Sequence, residues 1–324
     1  MQEGAVLYLV IPCFNEEEVL PETSTRLKER LQPLILSGAV SEESRIVFVD
    51  DGSKDRTWEL IEALHTEDPL FSGVKLSRNR GHQNALFAGL MTVKDHCDLT
   101  ISMDADLQDD TVVIELFLEK YSEGYDIVYG IRKERSSDTT VKRSTAVMFY
   151  KMLTRMGVES IFNHADCRLM SRRALDAFAE FKEVNLFLRG MVPLIGFRSA
   201  HVEYKRSPRF AGVSKYPFKK MLQLALNGIT SFSTAPIRLI AVFGFIISAL
   251  SFIAVLVLAI LALCGCAVTI NHWLLVSLWL ICGLLLSATG VVGEYVGKAY
   301  EEIKARPRYF VETFLNAKKD EAQL

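Results

Sequence analysis

The sequence contains no paired cysteines, no glycine-rich nucleotide fingerprint and almost no net charge. Each absence removes a class of protein. The six cysteines (Cys13, Cys97, Cys167, Cys264, Cys266 and Cys282) include no CxxC pair. Cys264 and Cys266 have only His272 near them, too few ligands for a zinc site, so the thiols read as reduced and buried. No G-x-G-x-x-G follows the first apolar run and no G-x-x-x-x-G-K-[ST] occurs, which argues against a dinucleotide oxidoreductase and a P-loop NTPase. A formal charge of −2 gives no global reason to bind nucleic acid, so any anion site must be local. The N-terminal apolar run ends at Pro12, too short for a signal peptide and suited to a first strand. Half of the 324 residues are hydrophobic and 23% are charged, enough apolar material to fill a core.

Charge is missing most conspicuously near the C-terminus. Leu239–Leu263 carries no charged residue, and neither does Trp273–Gly293. A bilayer core needs roughly 20 apolar residues per helix, which both runs satisfy. Lys215, Lys219, Lys220 and Arg238 precede the first run, and Lys298, Lys304, Arg306 and Arg308 follow the second. The connector Cys264–His272 has no Lys or Arg. The positive-inside rule then predicts a helical hairpin with both flanks in the cytoplasm. Gly290, Gly293 and Gly297 around Glu294 suit close helix packing, within the hairpin or between subunits of a homo-oligomer. Lys215–Phe232 reads as a basic amphipathic segment at the headgroups, with a core helix of the first domain as the alternative. The expected organisation is a cytoplasmic domain over 1–210, amphipathic juxtamembrane helices over 211–236, two transmembrane helices within 237–298 and a cytoplasmic tail over 299–324.

Within the first domain, apolar runs predict strands at Leu7–Ile11, Arg45–Val49, Gly73–Leu76, Leu99–Met103 and Asp126–Gly130. Helix-like stretches lie between them at Glu16–Leu36, Asp55–His65, Gly81–Lys94 and Thr111–Ser122. Alternating strand and helix over short connections predicts an α/β fold with a mostly parallel sheet. Ligands of such sheets sit beyond the carboxyl ends of the strands.

Those ends are polar. Pro12-Cys13-Phe14-Asn15-Glu16 follows the first strand, Asp50-Asp51-Gly52-Ser53 the second, and Asp104-Ala105-Asp106-Leu107-Gln108 the fourth. Helix capping accounts for Asn15 and Asp55 as well as binding does. It does not account for Asp50 beside Asp51, which repel unless a ribose, base or cation takes them up. Asp104 and Asp106 are spaced to converge on one hard cation, Mg²⁺ or Mn²⁺, that shares substrate phosphates. Asp also favours turns, so an isolated Asp-X-Asp reads as readily as a strand-ending loop. His82 and Gln83 read as structural residues at a helix start, and His164 and His201 lack partners at metal-ligand spacing.

Four segments taken in order carry a resemblance. Val10-Ile11-Pro12-Cys13-Phe14-Asn15-Glu16, Val49 to Asp55, Met103 to Asp109 and Ser214-Lys215-Tyr216-Pro217 are similar to family 2 glycosyltransferases of the polyprenyl-phosphate type. That group contains dolichol-phosphate mannose synthase and bacterial bactoprenol glucosyltransferases, and the bacterial glucosyl branch is the nearer match. The resemblance implies a GT-A type nucleotide-sugar domain at the inner membrane, facing the cytoplasm. It places Pro12, Phe14, Asn15, Glu16, Val49, Asp51, Asp104 and Ala105 around the nucleotide sugar, with Asp104, Asp106 and Gln108 around the metal and diphosphate. Asp106 and Asp166 become the expected catalytic residues. Cys167 stands where the glucosyl branch usually carries an aromatic, a departure that bears on sugar choice.

The implied reaction moves a hexose, glucose from UDP-glucose by the nearer branch, onto undecaprenyl or another polyprenyl phosphate with inversion. Mannose, N-acetylglucosamine or an aminoarabinose derivative are alternative sugars, and a non-catalytic membrane scaffold is the alternative class. A processive polysaccharide synthase usually carries Gln-x-x-Arg-Trp, absent here. A lipid phosphate approaching an acidic edge needs positive guides, for which Arg132, Arg143, Arg209 and Lys215 are the candidates.

Overall fold

The computed structural model describes residues 4–106, 108–132, 164–183, 186–204 and 270–316. Each expected apolar run in the first domain forms a strand: β1 (Leu7–Cys13), β2 (Arg45–Asp50), β3 (Phe71–Leu76), β4 (Leu99–Ser102) and β5 (Ile127–Arg132). Every residue of β1 and β4 is buried, as a strand covered on both faces requires. The connecting helices are α1 (Leu20–Leu36), α2 (Thr57–Glu67), α3 (His82–Val93) and α4 (Val113–Ser122). β6 (His164–Ser171), α5 (Arg172–Ala179), α6 (Leu188–Leu194) and β7 (Ser199–Tyr204) follow, and then α7 (Ile270–Lys304) and β8 (Val311–Leu315).

The eight strands form one sheet in the order β7-β5-β6-β4-β1-β2-β3-β8. β4, β1, β2 and β3 run parallel, β6 pairs antiparallel with β4 and β5, and β8 pairs antiparallel with β3. The expected α/β architecture with a mostly parallel core is therefore present. Two apolar layers cover it. One packs Leu20, Leu27 and Leu31 of α1, Ile61 of α2 and Phe117 of α4 on one face. The other packs Ala85, Leu86 and Leu90 of α3 with Phe178 of α5 and Met191 of α6 on the opposite face. Burying each such Leu, Ile or Phe contributes about 1.5–3 kcal/mol. The fit of α3 is close: a Cβ on Gly89 would lie 2.5 Å from Val49 Cγ2 and 2.7 Å from Val10 Cγ1.

Strand order decides where a ligand can sit. The chain winds outward from β1 through β2 to β3, then returns to place β4 on the other side of β1. Connections diverge at that reversal and open a crevice beyond the carboxyl ends of β1 and β4. Antiparallel β6 adds its first residues to the same edge, because Ser102 at the end of β4 pairs with Arg168.

The expected two-helix transmembrane hairpin is corrected. Among the described residues no helix is long and apolar enough to cross a membrane. Trp273–Gly293 lies inside the 35-residue α7, which does not stop where its uncharged run stops. It continues through Glu294, Lys298, Glu301, Glu302 and Lys304, so an uncharged run did not mark the limits of the helix. Leu239–Leu263 and the amphipathic stretch Lys215–Phe232 lie outside the described residues.

After α7 the chain returns to the sheet. β8 pairs with β3, Phe310 O accepts the Ser77 amide at 3.1 Å, and Lys75 meets Glu312 at 3.4 Å. The Arg308 guanidinium stacks 4.6 Å over Phe87. The C-terminal segment thereby braces β3 just before the loop that reaches the crevice.

Candidate active site

The second strand delivers Asp51 to the crevice, and the third holds it there. Asp51 Oδ1 and Oδ2 accept the amides of Arg80 and Gly81 at 2.7 and 2.9 Å. Burial raises the Asp51 carboxyl above its usual range, against the lowering effect of those two amides. Gly52 makes the contact possible. Its φ is +65°, and a Cβ there would lie 2.6 Å from backbone atoms of Arg78 and Asn79. Asp50 turns inward: Oδ1 accepts the Ser53 amide at 3.1 Å, while Oδ2 is buried with no hydrogen-bond partner among the described residues.

The turn after β1 is locked to the same loop. Asn15 adopts φ +52°, its amide donates to Ser53 Oγ at 2.9 Å, and its Oδ1 accepts the Lys54 amide at 2.9 Å. The Glu16 amide donates to Thr57 Oγ1 at 2.9 Å. Phe14 and Glu16 lie in this turn. Pro12 and Val49 pair across β1 and β2, and the Val49 side chain points into the core against α3. Asp55 ties the start of α2 to the turn after β1: its Oδ1 accepts from the Thr57 amide and hydroxyl at 3.1 and 2.6 Å, and its Oδ2 accepts the Glu17 amide at 3.2 Å.

Beyond β4 the acidic run turns tightly. The Gln108 amide donates to Asp106 Oδ1 at 3.2 Å, and the buried Ala105 gives its carbonyl to the Thr23 hydroxyl at 2.8 Å. Tyr204 of β7 donates to Asp109 Oδ1 at 2.6 Å, tying the far side of the turn to the sheet. Asp104 is 26% exposed at its side chain. Burial, with Asp166, Asp109 and Asp106 nearby, pushes its carboxyl up to about 6, against the opposing effect of His82.

Asp166, at the start of β6, closes the opposite wall. Arg189 of α6 grips it with both arms of its fork, Nε to Oδ1 at 3.1 Å and Nη2 to Oδ2 at 3.0 Å. Arg168 Nη2 donates to Oδ1 at 3.1 Å from two residues along the strand, on the same face. Burial alone would raise the Asp166 carboxyl; Arg189, Arg168 and His82 outweigh it and hold the group well below the usual carboxylate range. His82, the first residue of α3, lies between the two walls. Its Nε2 is 3.5 Å from Asp104 Oδ1 and 3.8 Å from Asp166 Oδ2.

The structure thus brings Asp51, Asp104, Asp106 and Asp166 to one edge, on the ends of β2, β4 and β6. Arg132 ends β5 on the adjoining strand, and Arg143, Arg209 and Lys215 lie outside the described residues. Three participants escaped sequence reasoning: His82, set aside as structural, and Arg168 and Arg189. Arg168 did leave a signal. An arginine inside the apolar stretch Cys167–Met170 has to be paired if buried, and Asp166 is the acid that shares its strand face.

Among the described residues no group of three His, Cys, Asp or Glu is arranged around a metal. The donor set nevertheless fits a hard cation carried by a substrate. Such a cation takes one or two carboxylates and completes its shell with phosphates and water, and Asp104 and Asp106 offer oxygen donors in an acid-rich, partly buried turn.

Residues 8–178 match the model of glycosyl transferase family 2. This chain belongs to that family. It is similar to the uncharacterized glycosyltransferase YkoT of Bacillus subtilis (strain 168), with 50% identity over 96% of this chain and 92% of that protein. It is 40% identical to the bactoprenol glucosyl transferase of Shigella phage SfX over 94% of this chain and 98% of that one. The prophage bactoprenol glucosyl transferase homolog of Escherichia coli (strain K12) is 40% identical over 94% of this chain and 97% of its own length. A family 2 glycosyltransferase domain therefore occupies the sheet whose crevice is described above, and the protein is a glycosyltransferase.

The Gly52 contact yields a direct test in this enzyme. Gly52→Ala forces a side chain into φ +65° and against the Arg78–Asn79 backbone. The substitution is expected to cost about 1–3 kcal/mol of stability, read by thermal unfolding. An unchanged unfolding midpoint would show that the Arg78–Asn79 backbone yields to the added methyl group without cost.

Proposed function

We propose that the enzyme transfers glucose from UDP-glucose to the phosphate of a polyprenyl lipid, with inversion, at the cytoplasmic face of the cell membrane. The observation that carries this reading is the convergence of Asp51, the Asp104–Asp106 turn and Asp166 at the crevice between β1 and β4. The near full-length likeness to proteins named bactoprenol glucosyl transferases supports the choice of donor sugar and acceptor.

Each part of the crevice has a task in that reaction. Asp51, fixed by two amides, is the residue this reading assigns to the nucleotide. Asp104 and Asp106 would hold Mg²⁺ or Mn²⁺, which would supply Lewis-acid stabilisation of the charge growing on the leaving diphosphate. The acceptor is already a nucleophile: a phosphate monoester has a second pKa of about 6 and is largely dianionic at neutral pH. A strong general base is unnecessary. Asp166 suits the consequence, because a carboxylate held ionised by two guanidiniums is a poor proton acceptor and a firm anchor. It positions the sugar or the acceptor.

The test uses membranes from cells expressing the full chain, a panel of labelled nucleotide sugars and undecaprenyl phosphate, with and without EDTA. UDP-glucose is expected to label the lipid, and chelation to stop it. Label from another sugar alone would replace the donor, activity that persists in EDTA would remove the metal, and no labelled lipid from any donor would overturn the reading.

A further inference from the structure

The two arginines on Asp166 are not equivalent. Arg168 is 2% exposed at its side chain; its Nη2 holds Asp166 Oδ1 and its Nη1 donates to Leu188 O at 3.3 Å. It is built into the sheet. Arg189 is 28% exposed and reaches Asp166 from α6, across the crevice wall. One carboxylate therefore sits between two guanidiniums, and the buried one alone suffices to neutralise it.

The backbone that carries Arg189 is anchored with unusual care. Leu188 donates its amide to Gln83 Oε1 at 3.0 Å and gives its carbonyl to Arg168. Both backbone groups of the preceding residue are thus fixed by side chains, one from α3 and one from β6. The root of Arg189 is held firmly, while its head stays within reach of solvent. That arrangement suits a group whose partner changes, because little order is lost when the head moves to a new anion.

We propose that Arg189 is a phosphate-binding residue of this site, its guanidinium exchanging Asp166 for the phosphoryl oxygens of a substrate while Arg168 remains on Asp166. The inference rests on the glycosyl-transfer reading, in which a diphosphate and a phosphate monoester must both enter an edge carrying Asp104, Asp106, Asp109 and Asp166. The planar fork that now meets a carboxylate bidentately has the geometry to meet a phosphate the same way. Asp166 serves as the resting partner, keeping Arg189 aligned until a phosphate replaces it. The departure costs little, since Arg168 and His82 still face the carboxylate.

The experiment titrates the full chain, wild type and variants, with two probes: UDP in the presence of Mn²⁺, and farnesyl phosphate as a short lipid phosphate. Arg189→Gln is expected to weaken one of them about tenfold or more, the scale of a lost charge-assisted hydrogen bond. Loss on farnesyl phosphate assigns Arg189 to the acceptor, and loss on UDP assigns it to the donor diphosphate. The same loss must persist when Arg189→Gln is added to Asp166→Asn, and Arg189→Lys is expected to fall between Gln and wild type. Unchanged binding of both probes overturns the proposal. So does a loss that vanishes in the Asp166→Asn background, which would leave Arg189 only a holder of Asp166, and so does a wild-type chain that binds neither probe. Failure of the transfer reading shows separately, as a wild-type chain that binds UDP yet labels no lipid with any donor.

Discussion

Arg168→Met is expected to lower the midpoint of thermal unfolding by on the order of 10 °C, the largest loss of stability from any single change in the crevice. Arg168 lies in the middle of β6, its backbone in register with Ser102 on one side and Tyr129 on the other, and its guanidinium is buried. Desolvation pulls its pKa down, and Asp166 opposes that shift. Methionine fills much of the volume but leaves Leu188 O without the Arg168 donor and Asp166 with one guanidinium in place of two. Breaking a buried pair from one side costs about 3–5 kcal/mol, and because Arg189 still balances Asp166 the loss falls at the lower end of that range. Scanning calorimetry on wild type and Arg168→Met checks this. An Arg168→Met midpoint within about 2 °C of wild type would mean that the pair contributes nothing to the fold.

The same arginine explains why part of this site is hidden in the sequence. β1 to β5 are legible because buried parallel strands read as continuous apolar runs bounded by turn residues, and the acidic strand ends follow from them. Asp51, Asp104 and Asp106 stand out along the chain for that reason. β6 does not, because its sequence His164-Ala165-Asp166-Cys167-Arg168 carries charges that only long-range pairing neutralises. Arg189 and His82 are likewise ordinary residues until α6 and α3 bring them to Asp166. β8 hides for a different reason: Val311-Glu312-Thr313-Phe314-Leu315 is a short edge strand, and its partner β3 lies more than two hundred residues earlier. The hairpin expectation fails at another level. It rests on counting uncharged residues, and such a count says nothing about where a helix ends.

Asp104→Asn should cut turnover roughly 100-fold or more and yet make the metal-free protein more stable at neutral pH. The carboxyl has an ordinary pKa of 3.8 and is raised to about 6 in the fold, chiefly by burial and then by Asp166, Asp109 and Asp106. The folded state therefore binds this proton more tightly than the unfolded chain does. As pH rises from about 4 through 6, the fold must give the proton up against its preference, and stability falls. Above pH 6 asparagine removes that penalty, which amounts to on the order of 2 kcal/mol, or a few degrees in the unfolding midpoint. Near pH 4 aspartic acid and asparagine should be alike, because both are neutral in the fold. Asp166 acts with the opposite sign: its lowered pKa adds stability above about pH 4 that is lost on acidification, in wild type and variant alike. Mn²⁺ with UDP is expected to stabilise wild type at pH 7.5 and not Asp104→Asn, whose turnover should drop roughly 100-fold or more. Thermal unfolding at pH 4.5 and 7.5 decides it. A variant that is less stable than wild type at pH 7.5 would mean that Asp104 is there for the fold, and that the acidic turn after β4 was not assembled against stability to receive a cation.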